Sequence, residues 1–266
     1  MIIEFKFQDK ILKLYIERRS DFAAFYQVFI VKCYPNLMAR IKKGDIVIDA
    51  GANIGMFTVI ASVLAGVNGR IISIEPDPEN IRILQKNIEL NNLVNVEIIN
   101  KALYQEVGKK IKFYQDGVMS QIITGEIKTD TNNIEVETIT FDEIIAQRGI
   151  KPNVLKMDIE GAEKFALLGA GNMMKTINYF ESEIHSREDF DVLMKFSNLF
   201  SFKREPIESM HNVFTFSVEH PIKILKLEYY NRFRTAKRII LSSITKSKPS
   251  DFPIIVNGER ISLPRA

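Results

Sequence analysis

The stretch Gly44-Asp45-Ile46-Val47-Ile48-Asp49-Ala50-Gly51-Ala52-Asn53-Ile54-Gly55 decides the architecture. Ile46-Val47-Ile48 is wholly apolar and β-branched, the mark of a strand buried on both faces. It runs into a turn of two glycines and an asparagine, residues that reach backbone angles closed to most others. Residues 56–65 (MFTVIASVLA) contain no helix breaker and predict a helix. A strand, a glycine turn and a helix in that order open a unit of parallel strands joined by helices.

The same alternation continues downstream. Residues 70–74 predict a second strand, stopped by Glu75-Pro76, and 78–90 a helix with Ile81, Leu84 and Ile88 on one face. Strands follow at 96–99, 154–157 and 179–184, with helices at 141–147, 162–168 and 190–199. Segments 110–114 and 134–138 read as short strands flanking a polar insertion. Segments 201–204 and 213–216 are expected to close the sheet as an antiparallel pair. The fold class is therefore α/β, a Rossmann-like and mostly parallel sheet flanked by helices.

Either side of this domain (44–217) the pattern changes. Residues 1–43 begin with alternating segments at 2–7 and 11–16, a hairpin, followed by an apolar run at 22–33 and a break at Tyr34-Pro35-Asn36. They are expected to form a cap or lid. Residues 218–266 form an extension: between 222 and 248 there are eight basic residues against one acid, Glu228, with Leu225, Tyr229, Phe233 and Ala236 at helical spacing. A hairpin turning at Asn257-Gly258 is expected after it.

Composition is that of an ordinary globular chain: 266 residues, 46% hydrophobic, 26% charged, formal net charge +3. The net charge selects no partner. The basic extension is read as a helix that packs on the core or on a second copy of the chain. Peripheral contact with an anionic membrane is its alternative, and a nucleic acid is not expected because nothing in the extension reads bases. One cysteine, Cys33, forbids an intrachain disulfide and suits a reducing, cytoplasmic setting. No signal peptide or run of about 18 apolar residues for a transmembrane segment is present in the sequence.

The acid at the end of the first strand narrows the ligand. A dinucleotide site presents bare amides to a doubly charged pyrophosphate. Asp49 beside that group would repel it by about 3 kcal/mol for unit charges roughly 5 Å apart at an effective dielectric near 20. The loop also reads Gly51-x-Asn53-x-Gly55 and not G-x-G-x-x-G. S-adenosylmethionine carries a sulfonium and an ammonium, which favour a carboxylate. Gly51 and Gly55 would let the backbone approach such a cofactor, and Asn53 can bond its carboxylate or the loop. Glu75, twenty residues after Gly55 and just before Pro76, is placed to accept hydrogen bonds from both ribose hydroxyls.

Four motifs stand in order: GDIVIDAGANIG at 44–55, IEPDPEN at 74–80, LKMDIEGAE at 155–163 and SEIH at 182–185. Together they resemble the FkbM family of class I S-adenosylmethionine-dependent methyltransferases, over roughly residues 20–217. The resemblance implies seven strands with a reversed last strand. It implies that Asp49, Gly51, Ala52, Asn53 and Gly55 touch the methionine half of the cofactor. Glu75 and Pro76 would border the ribose, and Ala102 and Leu103 the adenine. It further implies O-methylation of a hydroxyl on a saccharide, glycolipid or small metabolite.

In such a sheet the acceptor sits beyond the carboxyl ends of the strands. Asp158, Glu160 and Glu163 follow the fourth strand and His185 the fifth. Asp158 is the candidate for the acceptor hydroxyl or the sulfonium, His185 for the general base, since its ordinary pKa suits neutrality. Lys156, two residues before Asp158, is expected to keep that carboxylate ionised. Glu163 reads equally as a helix N-terminal acid. Asp158, Glu183 and His185 are also ligand types for a divalent metal, but methyl transfer requires none and none is expected. Two other functions remain open. An RNA methyltransferase would use the basic extension, but residues 158–161 read Asp-Ile-Glu-Gly where exocyclic-amine enzymes carry Asn/Asp-Pro-Pro-aromatic. A non-catalytic cofactor-binding assembly module is the other.

Overall fold

The computed structural model describes residues 1–25, 28, 34–115, 121–122, 133–206 and 254–260. Strands β1 (Ile2–Phe7) and β2 (Lys10–Tyr15) pair antiparallel with Phe7 opposite Lys10, the expected hairpin. Helices α1 (Arg19–Phe25) and α2 (Pro35–Arg40) follow, the second opening on a proline whose missing N–H costs nothing there. Then come β3 (Ile46–Ala50), α3 (Met56–Ala65), β4 (Arg70–Ile74), α4 (Pro78–Leu90) and β5 (Val96–Ile99). Helix α4 starts where the Asp77 side chain accepts from Glu79 N at 2.9 Å, with Pro78 next, a strong start signal.

The insertion forms a small separate sheet. Its strands are β6 (Ala102–Leu103), β7 (Lys110–Tyr114), β8 (Gln121–Ile122) and β9 (Asn133–Ile139), in the order β6-β9-β7-β8. The chain returns through α5 (Phe141–Arg148), capped by Thr140 and stopped by Gly149 at φ 59°. It continues as β10 (Val154–Met157), α6 (Glu163–Leu168), β11 (Tyr179–Ile184), α7 (Arg187–Leu193), β12 (Phe200–Pro206) and β13 (Ile254–Arg260).

The central sheet has the order β12-β13-β11-β10-β3-β4-β5. β11, β10, β3, β4 and β5 run parallel, and β13 is antiparallel to both its neighbours. Strand parity sorts the core into two layers. Ile48, Ile72, Leu155 and Phe180 face one layer with α5, α6 and α7; Val47, Ile71, Val154 and Tyr179 face the other with α2 and α3. Burial of such side chains on both faces is why these strands read as unbroken apolar runs.

The closing strands differ from expectation. The expected strand at 213–216 and the basic helix at 222–248 lie outside the described residues, as does Cys33. β12 pairs with β13, drawn from the stretch read as an extension, so the sheet reaches past residue 217. Asn257-Gly258 lies inside β13, opposite Phe202 and Lys203, and makes no hairpin. Its turn propensity yields to a strand hydrogen-bonded on both sides. The helix expected over 190–199 is α7, three residues earlier, followed by a 3₁₀ turn at Met194–Phe196.

The N-terminal hairpin docks on the outer side of α3 and α4. Leu12, Leu14 and Ile16 bury against Val59, Ile60 and Ile83, worth roughly 1.5–3 kcal/mol for each fully buried side chain. The open edge of β2 is satisfied by two asparagines one turn apart on α4. Asn87 Oδ1 accepts from Tyr15 N at 2.6 Å and Asn91 Oδ1 from Lys13 N at 2.8 Å. Asn91 Nδ2 donates back to Lys13 O at 2.6 Å. An edge that would otherwise expose unpaired amides is closed by side chains. Beyond it, Arg18 donates to Asp21 at 3.0 Å and to Asn80 at 2.6 Å, which ties the cap to the first turn of α4. No helix among the described residues is long and apolar enough to cross a membrane.

Candidate active site

A cleft, partly open to solvent, lies at the carboxyl ends of β3, β4 and β10. Its floor includes Gly51, Ala52 and Asn53, one end Glu75 and Pro76, the other Asp158, Glu160 and Glu183. Ala102, Leu103 and Phe113 from the small sheet form one wall, while Tyr34 and Ala24 come from the cap. Most of the expected site residues therefore converge on one cleft. Asp49, Gly55 and His185 do not line it.

Asp49 sits beneath the loop, fully buried. Its Oδ2 accepts from Thr58 Oγ1 at 2.6 Å, and its Oδ1 lies 3.4 Å from Lys156 Nζ. Parallel register explains the pair, since Lys156 stands directly beside Asp49 on the neighbouring strand. The Lys156 ammonium also donates to Gly51 O at 2.7 Å and Ala50 O at 3.2 Å. Burial alone would lower its pKa, but Asp49 and Asp158 outweigh that and raise it. Two expectations change. Lys156 bonds Asp49 and the loop, not Asp158. Asp49, neutralised by that ammonium, neither reaches the cleft nor discriminates against a pyrophosphate by its charge.

The loop geometry is set by close packing within the protein. Asn53 has φ 50° and its Oδ1 accepts from Ile54 N at 2.8 Å, so its side chain bonds the loop. Gly51 has φ 74°, and a Cβ there would meet Asp158 O at 1.9 Å. Gly55 has φ 88°, and its Cβ would meet Leu84 Cδ1 at 2.4 Å. Both glycines therefore serve strand and helix packing.

Glu75 is 4% exposed and accepts from Asn53 N (2.8 Å, Oε2), Asp77 N (3.0 Å) and Asn80 Nδ2 (3.2 Å), the last two on Oε1. A carboxylate offers about four acceptor positions, so Oε2 keeps capacity on the cleft side. Burial pushes its pKa up to about 7, against the pull of these donors. Asn100 holds the turn after β4, donating to Glu75 O (3.1 Å) and Pro76 O (3.0 Å).

At the other end four carboxylates surround His185. Its Nδ1 lies 3.1 Å from Glu163 Oε1, and its Nε2 lies 3.5 Å from Glu160 and 3.8 Å from Glu183. Burial lowers the imidazole pKa, but the bond to Glu163 and the charges of Glu163, Asp158 and Glu183 raise it to about 10. With Glu163 on Nδ1 and two carboxylates facing Nε2, its surroundings favour the protonated imidazole, which disfavours the expected role as general base. Burial and neighbouring charges push Glu160 and Glu183 up to about 8, and burial raises Glu163. Asp158 Oδ2 accepts from the Tyr34 hydroxyl at 2.9 Å, while Oδ1 is screened from solvent and has no hydrogen-bond partner. Glu160 is held at φ 53°, an angle uncommon outside glycine.

The profile of the Methyltransferase FkbM domain matches residues 49–216, more than half the chain. The chain belongs to the FkbM methyltransferase family. Among curated proteins it is 29% identical over 155 residues to the hexuronic acid methyltransferase AglP of Haloferax volcanii, covering 58% of this chain and 61% of that one. It is 24% identical to the 31-O-demethyl-FK506 methyltransferase FkbM of Streptomyces tacrolimicus, covering 54% and 66%. The chain thus spans less than two thirds of the length of either relative. The crystal structure of an FkbM methyltransferase from Methylobacillus flagellatus superposes with a TM-score of 0.47 at 14% identity, covering 91% of this chain and 55% of that one.

The cofactor of this methyltransferase family is S-adenosylmethionine, and the cleft fits it. A buried acid with spare acceptor capacity stands at one end, and an apolar wall lies beside it. Tyr34, Asn80 and Phe113 also line the cleft, although the sequence did not mark them. Only Asn80 carried a signal, as the last residue of the IEPDPEN motif.

Proposed function

We propose that this chain methylates a hydroxyl of a saccharide or a related small acceptor, with S-adenosylmethionine as the donor. The observation that carries the reading is one cleft with Glu75 at one end and Asp158, Glu160 and Glu183 at the other. The names of the hexuronic acid and demethyl-FK506 methyltransferases support an oxygen acceptor.

S-adenosylmethionine supplies a methyl group activated by its sulfonium. Glu75 would accept from the ribose hydroxyls, held in place by Asn80 and the Asn53 amide. Ala52 and Asn53 would floor the cofactor, and Pro76, Ala102, Leu103 and Phe113 would enclose its base and exclude water. Asp158, steadied by Tyr34, would orient the acceptor hydroxyl and draw its proton, with Glu160 and Glu183 adjoining. Lys156 would fix the loop from below through Asp49.

Because Glu75 titrates at about 7 when the cleft is free, donor affinity should depend on pH. The ionised form accepts from both hydroxyls, so affinity rises with pH. From pH 6 to pH 8 the ionised fraction grows about tenfold, and calorimetry should show a similar gain. Glu75→Gln should abolish this dependence and bind weakly throughout, whereas titration of the donor itself is common to both proteins. A pH profile identical in the variant would remove Glu75 from the ribose site.

The acceptor is tested with donor carrying a labelled methyl group and separated uronic-acid oligosaccharides, lipids, RNA and small metabolites. Label should enter a carbohydrate or small hydroxylated product and resist mild alkali, as an ether does and a carboxyl ester does not. Label confined to RNA would overturn the acceptor class.

A further inference from the structure

We propose that Asp158, Glu183 and His185 bind a divalent cation at the acceptor end of the cleft, of the class that takes both carboxylate oxygen and imidazole nitrogen, such as Mn²⁺. One ligand atom from each of the three lies within 4.8 Å of the others. Two ligands of a single cation stand about that far apart when the bonds are roughly 2.1–2.5 Å.

Two further observations point to a cation and not merely to clustered acids. A metal-binding histidine commonly donates its second ring N–H to a carboxylate, which fixes the ring and leaves the other nitrogen for the metal. His185 is held in that way: Nδ1 lies 3.1 Å from Oε1 of the fully buried Glu163, which also accepts from Ile159 N at 3.1 Å. Its Nε2 is turned towards Glu160 and Glu183 at 3.5 and 3.8 Å, beyond good hydrogen-bond distance. Asp158 Oδ1, shielded from water and without a hydrogen-bond partner, is the kind of buried acceptor that a cation satisfies.

The ion would take Nε2 and leave Nδ1 with Glu163. The inference deepens the methyl-transfer reading and rests on it for the ion's role: an acceptor hydroxyl meeting the cation would be held beside the donor and made more acidic.

The test uses the full chain, stripped with a chelator and free of donor and acceptor, titrated with MnCl₂ while free Mn²⁺ is followed by electron paramagnetic resonance. One ion should bind per chain. Glu183→Gln and His185→Gln should each weaken uptake at least about tenfold, Glu163→Gln by about tenfold through the ring's orientation, and Glu75→Gln not at all. Thermal melts establish that the variants fold; if His185→Gln does not, the isosteric Glu183→Gln decides. Absence of saturable uptake, or uptake unchanged in the decisive variant, overturns the site. Calorimetry with S-adenosylmethionine on the same samples separates the two readings. Donor binding without Mn²⁺ uptake overturns the cation alone, and Mn²⁺ uptake without donor binding leaves the site standing and removes the methyl-transfer reading.

Discussion

Asp158→Asn should lower turnover by about 10²- to 10⁴-fold, the range expected when a group that handles a proton in the transition state is lost. Donor affinity should stay within about threefold, because the change is at the acceptor end of the cleft. The substitution is nearly isosteric. An asparagine there can still accept from the Tyr34 hydroxyl, now 2.9 Å from Oδ2, so the cap keeps its contact while the charge disappears. What is lost is the negative charge at an oxygen that has no hydrogen-bond partner in the protein. Single-turnover measurements with saturating donor, paired with calorimetry, check both halves. Turnover within threefold of the parent would take Asp158 out of the reaction and leave Glu160 and Glu183 as the acceptor-end carboxylates.

The central sheet was legible because its signals are local. Apolar β-branched runs, the Asp77-Pro78 start of α4 and the Gly149 stop of α5 each act within a few residues, and the structure has strands and helices there. Glu75, Pro76, Ala102, Leu103 and Asp158 were legible for the same reason: each follows the carboxyl end of a strand, where an α/β sheet opens its crevice.

The electrostatics were not legible, because they depend on register between strands far apart in sequence. Spacing by two placed Lys156 with Asp158, but parallel pairing set it beside Asp49. His185 had an ordinary imidazole pKa until four acids from two strand ends enclosed it. Tyr34 reaches Asp158 across 124 residues of chain, and nothing near it in sequence marks it. The Asn257-Gly258 pair misled in the opposite way: its local preference was real, but pairing on both sides of β13 prevailed.

Gly51→Ala should be the most damaging change in the loop, by a margin that separates it from Gly55→Ala. Both glycines have positive φ, 74° and 88°, so each alanine carries a left-handed penalty of about 1–2 kcal/mol. They differ in what the new methyl meets. At Gly55 it meets the Cδ1 end of Leu84, which can turn aside. At Gly51 it meets the carbonyl oxygen of Asp158 at 1.9 Å and its carbonyl carbon at 2.9 Å, with Ile159 Cγ2 at 3.1 Å. That backbone is tethered by Asp158 N to Ala50 O at 3.1 Å, so relief requires parting the ends of β3 and β10. Overpacking of this kind adds about 1–3 kcal/mol, for a total of about 2–5 kcal/mol. Urea unfolding should place Gly51→Ala at least about 1 kcal/mol below Gly55→Ala, or leave it unfolded. Where it folds, the parted strands should carry Asp158 away from the loop, so turnover should fall further than stability alone requires. Equal stability of the two variants would show that the loop, not the strand end, yields.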